Sequence, residues 1–115
     1  MDIQTKRIYE KPANRDGTRI LIDRVWPRGV SKGDAKLDEW MKEIAPSTEL
    51  RKWFDHEEKR FDDFSKKYKK ELENHSKLVQ QLLEKAKDKR LTLLYGAKDE
   101  KHNQAIVLKN YLENQ

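Results

Sequence analysis

Two short polar clusters contain the residue types from which a site could be built. The first, Asp23-Arg24-Val25-Trp26-Pro27-Arg28-Gly29, follows the run Arg19-Ile20-Leu21-Ile22. The second, Gly96-Ala97-Lys98-Asp99-Glu100-Lys101-His102-Asn103, follows Leu91-Thr92-Leu93-Leu94-Tyr95. His102 is the side chain most readily poised for proton transfer near neutrality, and Asp99 stands three residues before it; these are the catalytic candidates. Arg24 and Arg28 offer planar, two-pronged donors suited to carboxylate or phosphate, and Lys98 adds a point charge. Trp26 offers a surface for stacking and Asn103 a paired donor and acceptor, so Arg24, Trp26, Arg28, Lys98 and Asn103 form the ligand-binding set.

Each of these residues also has a plainer reading. Asp99 would serve as the cap of a following helix, and His102 as a hydrogen-bonded structural group. An ion pair of Arg24 with Asp99, or of Asp23 with Lys98, would simply tie two strand ends together, and Trp26 would belong to the core. His56, His75 and His102 share no short metal-ligand spacing, so no metal site is expected, and no motif names a cofactor. The basic stretch Lys66 to Lys70 has acidic neighbours, which reads as a solvated helix face.

The elements that must position the clusters follow from apolar periodicity. Residues 2 to 9 alternate loosely and predict a first strand near a sheet edge. Pro12, Asn14, Asp16 and Gly17 mark a loop, and residues 19 to 25 read as a second strand buried on both faces. Leu37, Trp40, Met41 and Ile44 share a helical face, predicting a helix from Asp34 that Pro46 stops. Ser47 caps a short helix carrying Leu50, Trp53 and Phe54, and Asp55 with Glu58 resembles the box that opens the next. That helix presents Phe61, Phe64, Tyr68 and Leu72. Another, with Leu78, Val79, Leu82, Leu83 and Ala86, runs from after Asn74 to about Asp88. A third strand covers Leu91 to Tyr95, and a last helix from about Asp99 buries Ala105, Leu108 and Leu112. Strands alternating with helical blocks predict an α/β domain with a short, mainly parallel sheet flanked by helices.

Composition bounds the rest. With 115 residues the chain has room for one domain. Although 41% of residues are charged, three Trp, four Tyr and three Phe supply enough large apolar groups for a globular core. The net charge of +5 comes from interleaved signs and is a weak pointer to nucleic acid. Without cysteine the chain has no thiolate chemistry and no disulfide, which is compatible with a reducing compartment. No apolar stretch reaches membrane-span length and the first residues lack the apolar centre of a signal peptide, so the cytoplasm is expected.

The segments Leu21 to Lys32 and Leu93 to Ala105, with Leu37-Asp38-Glu39-Trp40, Ile44-Ala45-Pro46-Ser47 and Leu50-Arg51-Lys52-Trp53-Phe54, strongly resemble the YeaO-like branch of the domain-of-unknown-function family 488 (DUF488). The likeness spans nearly the whole chain. It implies an α/β domain in which the Asp-Arg-hydrophobic-Trp-Pro-Arg-Gly and Lys-Asp-Glu-x-His-Asn segments face each other. Longer relatives similar at the same two places carry a Cys beside the His, where this chain has Asn103, so thiol chemistry there is closed to it. The sequence thus points to a site for an anionic or nucleotide-like small molecule at the strand ends, with turnover left open. The alternative is a non-catalytic module that binds nucleic acid or protein through the basic helical surface.

Overall fold

A computed structural model describes all residues, 1–115. Four parallel strands, β1 (Ile3–Arg7), β2 (Thr18–Leu21), β3 (Glu39–Trp40) and β4 (Leu91–Tyr95), form one sheet in the order β1-β4-β2-β3. Five helices accompany it: α1 (Lys32–Ala35), α2 (Thr48–Phe54), α3 (Phe61–Glu73), α4 (Ser76–Asp88) and α5 (Gln104–Glu113). The expected α/β architecture is therefore present. The strand at residues 2 to 9 does lie at an edge, and the two cluster-bearing strands are adjacent and parallel, with Ile20 opposite Leu93 and Leu21 opposite Leu94.

Alternation along the strands separates two interiors. Ile3, Ile20, Ile22, Leu91, Leu93 and Tyr95 join Phe54, Phe64, Tyr68, Leu72, Leu82 and Leu108 in the main core. Ile8, Leu21 and Leu94 pack with Ala35, Trp26, Val30, Leu37 and Trp40 in a smaller cluster. The expected helix from Asp34 to Ile44 is not formed, because its apolar residues divide between these interiors: Met41 and Ile44 join the main core, Leu37 and Trp40 the smaller cluster. A left-handed Lys36 (φ 48) ends α1 after one turn, and pairing with β2 then outweighs helical periodicity. The Asp38 and Met41 amides donate to the Arg19 and Leu21 carbonyls at 2.8 and 2.9 Å, and the Asp38 carboxylate receives the Arg19 amide at 2.8 Å.

The loop before β2 folds its charge inward. Asp16, 1% exposed, accepts from Arg19 Nη1 at 2.6 Å, from Lys6 Nζ at 3.0 Å and from the Ala13 amide at 3.0 Å. Its carbonyl accepts from Thr92 Oγ1, which in turn accepts from Gln4 Nε2. Burial acts to raise the Asp16 carboxyl, but the Ala13 amide, Lys6 and Arg19 outweigh it and hold the group below its ordinary 3.8. Gly17 makes this entry tight: at φ +66 it lies so close to Arg90 that a Cβ would stand 2.2 Å from that residue's carbonyl oxygen.

Two helix starts differ from the sequence reading. Asp55, at φ 48, closes α2 rather than opening the next helix, and a 3-10 turn at Glu58–Arg60 leads into α3. Asp99 does not begin α5. Its Oδ1 accepts from the Lys101 and His102 amides at 2.9 and 3.0 Å, which holds 99–103 as a turn, and Asn103 becomes the cap, accepting from the Ala105 and Ile106 amides. By contrast Ser47 caps α2 as expected, accepting from the Leu50 amide, while its own hydroxyl donates to Glu71 on α3.

Candidate functional site

Beyond the carboxyl ends of β2 and β4 the chain encloses a cavity of about 850 Å³. The turn after β2 supplies one wall from Asp23 to Arg28, and the loop from Gly96 to Asp99, with Asn103 and Gln104, supplies the other. Ala45, Pro46, Arg51, Phe54 and His56 close the third side from α2 and its flanks. This is where an open parallel sheet places a ligand, since diverging loops leave a crevice at adjacent strand ends.

Asp23 joins the two walls. Its Oδ2 accepts from the Gly96 amide at 2.9 Å and its Oδ1 from Gln104 Nε2, while its carbonyl receives Trp40 Nε1 at 2.6 Å. Burial pushes the Asp23 carboxyl up to about 6, although the Gly96 amide, Gln104 and the field of Arg51 all act to lower it. A Cβ at position 96 would meet Asp23 Oδ2 at 2.8 Å, so a larger residue there would push that carboxylate from its place.

Six of the seven residues proposed from sequence line the cavity: Arg24, Trp26, Arg28, Lys98, Asp99 and Asn103. Several are already engaged by the protein. Arg24 donates to the carbonyls of Pro46 and Ala45 at 3.0 and 3.1 Å, which ties the turn to the start of α2. Trp26 donates to the Val30 carbonyl at 2.7 Å and meets Trp40 edge to face. Asn103 is buried as the α5 cap and donates to the Asp99 carbonyl at 2.9 Å. Neither of the considered ion pairs, Arg24 with Asp99 or Asp23 with Lys98, forms; no ion pair holds Arg28, Arg51 or Lys98 either, and all three are exposed.

His102 is the residue that lies apart. Its Nδ1 stands 2.9 Å from Asp99 Oδ2, its Nε2 lies 3.6 Å from Glu58, and its ring meets Phe61 edge to face at 5.1 Å. It is not in the cavity lining. Asp99 is held below its ordinary value, chiefly by the Lys101 amide and also by His102, so it remains an anion facing that ring. No three His, Asp or Glu side chains gather as a metal-binding group.

Sequence reasoning did not select Asp23, Arg51 or His56. For Asp23 a signal existed: a carboxylate follows one apolar run and a glycine follows the other, and the Ile22 amide to Leu94 carbonyl bond brings them level. Arg51 and His56 carry no comparable local mark, since only the path of α2 brings them to the strand ends. The Asp55–His56 pair is left-handed at both residues, a conformation that non-glycine residues adopt at a cost.

Fold and site together define a small parallel α/β protein with a ligand-sized crevice at adjacent strand ends. The chain belongs to the DUF488-N3i family, described as the inactive DUF488-N3 subclade, which it matches over residues 2–115. It is similar to the uncharacterized protein YeaO of Escherichia coli (strain K12), 48% identical over 114 residues that cover 99% of each chain. The uncharacterized proteins Mb3100c of Mycobacterium bovis and Rv3073c of Mycobacterium tuberculosis are each 41% identical over 78 residues, 68% of this chain and 66% of theirs. No solved structure matches the chain. No helix is long and apolar enough to cross a membrane.

Proposed function

We propose that the chain binds an anionic, nucleotide-like small molecule in this cavity without turning it over. The observation that carries the reading is the charge of the lining: Arg24, Arg28, Arg51 and Lys98 face two carboxylates, Asp23 and Asp99. None of the four cations has a carboxylate partner, and while Arg24 is held by backbone carbonyls, a phosphate or carboxylate entering between Arg28, Arg51 and Lys98 would supply one. The volume lies within the roughly 300–1,000 Å³ usual for small-molecule sites. Binding without chemistry is supported by the description of the subclade as inactive and by His102, whose ring is turned to Asp99 and Phe61 instead of the cavity. Asp99 and His102 then act by holding the loop that carries Lys98.

The basic helical surface gives less support to a nucleic-acid or protein module. Lys67 lies over the Trp53 ring and Lys69 donates to Asn110, so part of that charge is spent within the fold. Thermal unfolding in phosphate against chloride at matched ionic strength separates the readings. A ligand at about ten times its Kd stabilises by about 1.4 kcal/mol, a rise of roughly 5 °C for a chain of this size. Phosphate should produce such a rise in the wild type, and Arg28→Ala or Arg51→Ala should remove most of it. An equal rise in both variants would be a general salt effect and would reject the pocket.

A further inference from the structure

The lining is not uniformly positive. Arg28, Arg51 and Lys98 are exposed at the cavity rim, whereas Asp23 lies deeper, between the Gly96 amide and Gln104. No cation is bonded to Asp23: the neighbouring Arg24 is committed to the Pro46 and Ala45 carbonyls, and no ion pair reaches the carboxylate. Each Asp23 oxygen receives one donor, although a carboxylate oxygen can accept two. A simple anion filling the cavity would meet a carboxylate of its own sign at the inner end.

We propose that the ligand is a phosphorylated polyol or nucleoside, with its phosphate between Arg28, Arg51 and Lys98 and a pair of hydroxyl or N–H donors given to Asp23. The assignment rests on the anion-binding reading above and names the chemistry of the ligand's other end. Donors placed there complete the hydrogen bonding of the Asp23 oxygens. The raised Asp23 carboxyl agrees with this, since burial without a cation leaves the charged form short of partners. The same arrangement gives selectivity: a ligand lacking those donors covers a charged acceptor with half of its hydrogen-bonding capacity unfilled, which is costly in a buried site.

Calorimetric titration of the full chain at pH 7.5 with ribose 5-phosphate, butyl phosphate and inorganic phosphate tests the assignment. Ribose 5-phosphate and butyl phosphate share the phosphate and differ in whether the other end donates. The wild type should bind ribose 5-phosphate at least tenfold more tightly than butyl phosphate. In Asp23→Asn that preference should fall to about twofold or less, and inorganic phosphate should bind more tightly because a negative charge has gone. Equal binding of the two organic phosphates by the wild type, a measurement that needs no variant, overturns the assignment while leaving the anion site standing. Retention of the preference in a folded Asp23→Asn protein also overturns it. Failure of all three phosphates to bind the wild type removes the anion site and this inference with it.

Discussion

Asp23 makes the folded state sensitive to pH in a direction opposite to that of a salt-bridged carboxylate. Its carboxyl titrates near 3.8 in the unfolded chain and near 6 in the folded one. Between those values the native protein holds a proton that the unfolded chain has released, so stability falls as pH rises from about 4 to about 6 and then levels. The difference corresponds to on the order of 3 kcal/mol; because the cavity leaves Asp23 in some contact with solvent, about 1–3 kcal/mol is the expected loss. The informative quantity is wild type minus Asp23→Asn, in which contributions common to both proteins cancel. Urea unfolding followed by tryptophan fluorescence at half-unit steps from pH 4 to 8 measures it. The wild type should lose ground to the variant up to about pH 6 and run parallel to it above. A difference that stays flat, or one that grows in favour of the wild type with rising pH, would refute the argument that Asp23 is buried without a compensating cation.

Two further outcomes follow from contacts elsewhere. His102→Gln removes the contact to Asp99 and the edge-on packing against Phe61, so it should cost about 1 kcal/mol and lower the melting temperature by several degrees. Phosphate affinity should change by less than twofold, and a collapse of binding at unchanged melting temperature would make His102 a site residue after all. Asp16→Asn leaves Arg19 and Lys6 without their shared anion and should cost about 3–5 kcal/mol in urea unfolding at pH 7. Because the Asp16 carboxyl lies below 3.8 in the folded state, its contribution is complete above about pH 4 and is lost as pH falls through the depressed value. The variant should therefore show a flatter acid limb than the wild type below pH 4.

Much of the scaffold could be read from local pattern. The apolar runs Ile20 to Ile22 and Leu93 to Tyr95 marked β2 and β4, the helical spacing of Phe64, Tyr68 and Leu72 marked α3, and Ser47 announced α2, because burial and capping of this kind depend on near neighbours in the chain. The two polar clusters were likewise visible as strand-end segments, and parallel pairing follows from the helical blocks between the strands. What depended on distant residues was decided only when the chain closed. Glu39–Trp40 became a strand since β2 offered backbone partners about 20 residues away, and a helix there would have turned Leu37 and Trp40 away from the second apolar cluster. Asp16 became a buried counter-ion through Lys6 and Arg19, and Asp23 took partners 73 and 81 positions along the chain. His102 turned toward Asp99 and Phe61, while Arg51 arrived at the cavity through the path of α2. Residue type and spacing set which chemistry was on offer. The partners that raise, hold or neutralise each charge come from segments with no regular spacing to it, so their effect exists only in the packed structure.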